Sequence, residues 1–174
     1  MLIKCNAADH LYLIKDDPVR PDLFENNRKR FEAPFHVYAE VNDETGEIAA
    51  VVCVVICKFV PQDEVQIKAV AAGKLAKIEE ALAEREKIFG ALGTVLCPYS
   101  VWSYQRGHGR KLINNLLEAA TILHPTVDAV ITMSPLTDTA MSFHLNNGAD
   151  IFSTNEDTIN YEYEVPDVKH HHFL

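Results

Sequence analysis

A chain of 174 residues, 48% apolar and 24% charged, has room for one domain with a substantial core but not comfortably for two. Its formal charge of −9 argues against a protein that lives on nucleic acid or an anionic membrane, since both call for a basic face, although a local group of cations can still hold a phosphate. The longest apolar run, 48–57, is about half of a membrane span, and 1–6 has no charged-then-apolar leader, so the cytoplasm is the expected location.

The first thirty residues are mixed: 11–15 has the pattern of a short strand, 16–21 is a turn-rich connector with two prolines, and 22–30 holds a helical turn or two. The runs 35–41 and 48–59 are β-branched and apolar, joined by the hairpin loop Asn42-Asp43-Glu44-Thr45-Gly46. The second run is almost continuously apolar, which predicts a central strand covered on both faces. Pro61 ends it. Over 63–89, Val65, Val70, Leu75, Ile78, Leu82 and Phe89 follow a loose helical stripe with Lys and Glu between them, predicting a long helix. A strand is expected over 94–104, then the loop Gln105-Arg106-Gly107-His108-Gly109-Arg110-Lys111, then a helix with Leu112, Ile113, Leu116, Leu117 and Ala120 on its apolar face. A buried strand over 127–133, a helix over 137–147 closed by Gly148, and strands at 151–152 and 158–165 complete the order.

Strand–helix–strand units of this length predict one α/β domain over 1–174, with a central mixed, mostly antiparallel sheet, helices on both faces and a long extra helix at about 63–89. Cys5, Cys53, Cys57 and Cys97 form no CxxC pair and read as buried reduced thiols, so no metal is expected; His170-His171-His172 read as a solvated tail.

The loop between strand and helix is the first candidate site. A helix N-terminus leaves backbone N–H groups without internal partners and carries partial positive charge. Gly107 and Gly109 let a ligand approach the backbone, and Arg106, Arg110 and Lys111 add full charges, so a diphosphate is the expected guest. His108 either touches that ligand or is solvated.

This stretch resembles the cofactor motif of the GNAT (N-acetyltransferase) superfamily: a strand, then Gln/Arg-x-x-Gly-x-Gly/Ala, then a helix. Arg106 stands at the first position and Gly109 at the glycine, with Lys111 where the family has a small residue. The strand ending near Ser134, the helix bearing Ala140-Met141-Ser142-Phe143, and Asn147-Gly148-Ala149 extend the resemblance over roughly 35–165. It implies the GNAT fold and coenzyme A or acyl-CoA held by its diphosphate on the backbone of 105–111. More narrowly, Tyr99-Ser100-Val101, Gln105, Leu112-Ile113, Ser134-Pro135, Phe143-His144-Leu145 and Asn160-Tyr161-Glu162-Tyr163 are similar to the catalytic domain of the malonyl-CoA decarboxylases. In that family the serine of the Ser-Pro step and the histidine after Phe form the catalytic pair, which implies Ser134 and His144 here.

Decarboxylating malonyl-CoA requires stabilising an enolate oxygen as CO₂ departs and then delivering a proton to carbon. Backbone N–H groups of 94–104 suit the first task and His144 the second, with Ser134 holding the carboxylate or a water. Many GNAT acetyltransferases place a tyrosine at the position of His144, and acetyl transfer to an amine calls for a base, often a carboxylate on the strand before the phosphate loop. The stretch 94–104 contains neither Asp nor Glu. N-acyl transfer is therefore the second reading, and a non-catalytic acyl-CoA sensor the third. From the residues alone, Ser134 reads first as a cap of the next helix and His144 as a hydrogen-bonded wall residue; the resemblance is what turns the pair toward catalysis. The helix 63–89 is open to two uses, covering the acyl site or pairing with a second subunit in a homodimer.

Overall fold

Two runs of β-branched and apolar residues set the middle of the sheet. The computed structural model describes residues 1–71 and 94–166, and there Phe35–Val41 (β2) and Ile48–Cys57 (β3) pair antiparallel. Asn42 closes the hairpin: its carbonyl accepts the Gly46 N–H and its Oδ1 the Glu44 N–H, while Gly46 takes a left-handed φ of 73° that favours glycine. From Ala49 to Val55 every residue of β3 is fully buried, as expected of a strand covered on both faces.

Leu2–Lys4 (β1) joins the outer side of β2, and Thr94–Ser103 (β4) the inner side of β3. Val127–Ile131 (β5) runs parallel to β4, the one parallel pairing among the described strands. Ser134–Pro135 (β6), Asp150–Thr154 (β7) and Thr158–Tyr163 (β8) complete an eight-stranded sheet. β8 takes β5 and β6 along one side and β7 along the other.

Both faces are covered. After Ala7–His10 (α1), the 3₁₀ turns Leu11–Asp16 and Asn27–Phe31 and the helix Glu64–Ala71 (α2) bring Leu13, Ile14, Ile67 and Val70 against Val51, Cys53 and Cys97. His108–Leu123 (α3) covers the other face, its helical stripe of Leu112, Ile113, Leu116 and Ala120 meeting Val52, Val54 and Leu96. Asp138–Asn146 (α4) adds Met141 and Phe143 on that side.

Several expectations need correction or restriction. The strand expected over 11–15 is instead part of the 3₁₀ helix Leu11–Asp16, which turns Leu13 and Ile14 into the core. The strand β1 joins the sheet where the sequence pattern assigns none, and the helical turns expected over 22–30 contract to Asn27–Phe31. The strand expected over 127–133 breaks after Ile131: the Thr132 N–H donates to Tyr161 and the Met133 N–H to Pro98, so these two residues straddle parting strands. Of the long helix expected over 63–89, α2 is its described part and 72–89 lies outside the described residues, as do the histidines 170–172. All four cysteines are buried, and no helix among the described residues is long and apolar enough to cross a membrane.

Candidate active site

Beyond Leu96 the pairing of β4 with β5 stops. In the same stretch β4 is bulged: Pro98 lies opposite Val54 and Ser100 opposite Cys53, which leaves Tyr99 without a cross-strand partner. Bulges bend a strand and re-aim its side chains. Together the splay and the bulge border a cavity of about 570 Å³, walled by Tyr99, Ser100 and Trp102 from β4, by Ser134 and His144, and by Val19 of the N-terminal segment.

Ser134 and His144 meet in this wall. Ser134 Oγ lies 3.0 Å from His144 Nε2, His144 Nδ1 lies 2.7 Å from the Tyr163 hydroxyl, and Thr132 Oγ1 lies 2.9 Å from Ser134 Oγ. All four residues are buried. The capping role open to Ser134 in the sequence belongs to Thr137, whose Oγ1 accepts the Ala140 N–H, while Ser134 sits in β6. The His144 ring stacks on Tyr161 at 4.8 Å between centroids. No Asp or Glu among the described residues bonds to it, and burial pushes its pKa down to about 4. At neutral pH the imidazole is therefore uncharged, with one proton shared between two bonded nitrogens. Burial also holds the Tyr163 phenol protonated. If Nδ1–H donates to Tyr163, Nε2 accepts from the Ser134 hydroxyl; the other tautomer reverses both bonds. Thr132, Ser134, His144 and Tyr163 thus form a row of neutral hydrogen-bonding groups whose direction at His144 is set by its tautomer.

At the loop, Gly107 caps α3 with a left-handed φ of 83°. The His108 N–H donates to Gln105 and the Lys111 N–H to Gly107, whereas the N–H groups of Gly107, Gly109 and Arg110 meet no acceptor among the described residues. Beside them lies a second cavity of about 420 Å³, lined by Gln105, Arg106, Gly107, Gly109 and Arg110 together with Asn147 of α4. Of the seven loop residues expected at the ligand, His108 and Lys111 stand outside this lining. Arg110 is already engaged, its Nε 3.1 Å from Asn147 Oδ1 and its Nη2 2.9 Å from the Asn146 carbonyl, so it braces α3 against the end of α4. Gln105 Oε1 accepts from Asn42 at 2.8 Å.

Ser103, Gly109 and Phe143 line both cavities, which therefore adjoin between the loop and Ser134. A Cβ on Gly109 would lie 3.2 Å from Phe143 Cε2, so this glycine also lets α3 approach the aromatic ring, a use its motif does not announce. Three further members of the site carry no role in the sequence reading: Tyr163, which appears there as a motif residue alone, Thr132, and the wall segment Pro18-Val19.

No family model matches the chain, and no curated protein matches it. Solved structures do. The malonyl-CoA decarboxylase of Agrobacterium vitis aligns with a TM-score of 0.65 at 14% identity, covering 99% of this chain and 62% of that one. The malonyl-CoA decarboxylase of Cupriavidus metallidurans gives 0.61 at 12%, covering 98% and 62%. The chain thus spans less than two thirds of either. NAA60 of Arabidopsis thaliana, solved with acetyl-CoA, gives 0.56 at 13%, covering 94% of this chain and 97% of that one. At these identities the likeness is one of architecture: the chain has the GNAT fold, and within that fold it resembles the malonyl-CoA decarboxylases.

Proposed function

We propose that the chain is an acyl-CoA enzyme that decarboxylates a malonyl-type thioester, with Ser134 and His144 as the reacting pair. One observation carries this reading: the buried Ser134–His144 hydrogen bond lies in the wall of a cavity that adjoins the pocket at the loop Gln105–Arg110. Unpartnered N–H groups beside Arg106 suit a diphosphate. From there a pantetheine arm runs past Gly109 and Phe143 and presents its thioester carbonyl at the β4 bulge. When the carboxyl carbon leaves as CO₂, the electron pair of the broken C–C bond stays behind as a thioester enolate, and backbone N–H groups at the bulge stabilise its oxygen. A carboxylate beside a buried imidazole favours the charged form. His144 therefore takes up a proton as the substrate binds and passes it through Ser134 Oγ to the enolate carbon. A malonyl thioester and a proton give an acetyl thioester and CO₂, so atoms and charge balance.

The direct test is incubation with malonyl-CoA and no acceptor. Acetyl-CoA and CO₂ are the expected products, and malonyl-CoA recovered intact overturns the reading. Agreement in length with NAA60 favours a second reading, N-acyl transfer. Against it, no Asp or Glu among the described residues lines either cavity to take a proton from an amine. Acetyl-CoA consumed when, and only when, an amine is supplied selects that reading, and binding without turnover selects an acyl-CoA sensor. In all three, Arg106→Glu should weaken coenzyme A about tenfold to a hundredfold, because repulsion replaces a charge-assisted contact. Equal affinity by calorimetry would remove the phosphate site from this loop.

A further inference from the structure

Of the cations in the loop, one is committed to the helix that carries His144. Arg110 Nε lies 3.1 Å from Asn147 Oδ1 and its Nη2 2.9 Å from the Asn146 carbonyl, both at the C-terminal end of α4. There helix carbonyls lack intrahelical donors and the dipole favours a cation. A guanidinium can only donate, so it is Oδ1 of Asn147 that faces it and Nδ2 that turns inward, 2.7 Å from the Phe143 carbonyl. The Asn147 N–H donates to the Phe143 and His144 carbonyls, and the Ala149 N–H to that of His144. Arg110 thus grips the turn of backbone from which the His144 ring projects.

This helix has little else to hold it. Of its nine residues His144 alone is buried, with Met141 and Phe143 partly so. The ring bonds of His144 go to Ser134 in β6 and Tyr163 in β8, so a shift of α4 against the sheet changes both at once. Two ties from the first turn of α3 oppose such a shift. One is packing at Gly109, where a Cβ would come within 3.2 Å of Phe143 Cε2, and the other is the Arg110 fork. Arg106, the other cation of the cavity lining, makes no side-chain bond among the described residues.

We propose that Arg110 is a positioning residue for His144 and not a ligand of the diphosphate: it holds the last turn of α4 where the imidazole reaches Ser134. Two cations of one loop are thereby divided by task, Arg106 for the ligand and Arg110 for the reacting pair. The placement of His144 stands on the geometry; its effect on turnover rests on the acyl-CoA reading and deepens it.

Two measurements test this. In NMR spectra of the free protein, the His144 ring resonances, assigned by their absence in His144→Ala, should move in Arg110→Ala and stay in place in Arg106→Glu. With malonyl-CoA, Arg110→Ala should lower kcat about tenfold to a hundredfold, since displacing a reacting group by about 1 Å costs rate on that order. Calorimetry should find its coenzyme A affinity within about twofold of the parent. In a His144→Ala background, Arg110→Ala should cost nothing further, because residues that act as one unit do not add. Unmoved His144 resonances overturn the proposal whatever the substrate. So do an unchanged kcat, a rate loss that multiplies with that of His144→Ala, or a loss of coenzyme A affinity equal to that of Arg106→Glu, which would make Arg110 a phosphate ligand. A parent protein without affinity for coenzyme A removes the acyl-CoA reading instead, and the resonances then decide the placement of His144 by themselves.

Discussion

Replacing His144 by alanine is expected to lower malonyl-CoA turnover by about 10²–10⁴-fold, the usual worth of a positioned acid or base. Coenzyme A affinity should hold, because the loop proposed to take the diphosphate lines the neighbouring cavity, of which His144 is not part. Ser134→Ala should cost less if the serine relays rather than supplies the proton, and the two losses should not add, since members of one unit fail together. The pH profile separates the chemistries. Decarboxylation uses the charged imidazole, whose pKa in the free protein is about 4, so kcat/KM should rise as pH falls from neutrality toward that value. In His144→Ala the rise should vanish. N-acyl transfer would use the neutral imidazole as a base, and its profile should be flat until pH drops to about 4. A parent profile without the acid rise would remove His144 as the proton donor.

The second large effect is on stability. Asp17→Asn keeps the shape of the side chain but leaves the fully buried Arg30 without its countercharge, and such a break typically costs about 3–5 kcal/mol. In a domain of this size that lowers Tm by on the order of 10 °C. The double variant Asp17→Asn with Arg30→Met should be milder than Asp17→Asn alone, since no unpaired charge is then buried. The sign with pH follows from the direction of the shift: the folded-state pKa of Asp17 lies below the unfolded one. Its stabilisation is thus complete above the unfolded value of about 4 and is lost as pH falls through the folded one. A thermal melt of Asp17→Asn that coincides with the parent at neutral pH would show that this pair adds nothing.

What the sequence makes legible follows from the reach of its patterns. The β2–β3 hairpin and α3 declare themselves because their periods are local and their turns carry Asn42, Gly46 and Gly107. Ser134 and His144 are legible through the motifs around them, and the glycine loop through its charges. Their geometry is not. His144 finds Tyr163 across 19 residues, and Arg20 reaches the Met133 carbonyl across 113, distances at which no periodicity survives. Arg30 misleads most, because a cation between Lys29 and Phe31 reads as surface and is the largest fully buried side chain among the described residues. The bulge at Tyr99 is equally silent, since Pro98-Tyr99-Ser100 has no composition that distinguishes an inserted residue from a paired one.

The site draws on distant parts of the chain: Val19, in the cavity wall, precedes every strand but β1, and Tyr163, which bonds the wall residue His144 from behind, ends β8. On the ribosome, synthesis delivers them in that order. While a nascent chain lacks β8, the His144 imidazole has no phenol to orient it and the Ser134 strand has no neighbour on its β8 side. The hairpin β2–β3 and its pairing with β4 can form well before then, because they use segments already made. The molecule should therefore pass through a stage with an assembled sheet and no working centre, and gain its chemistry in the last step of folding.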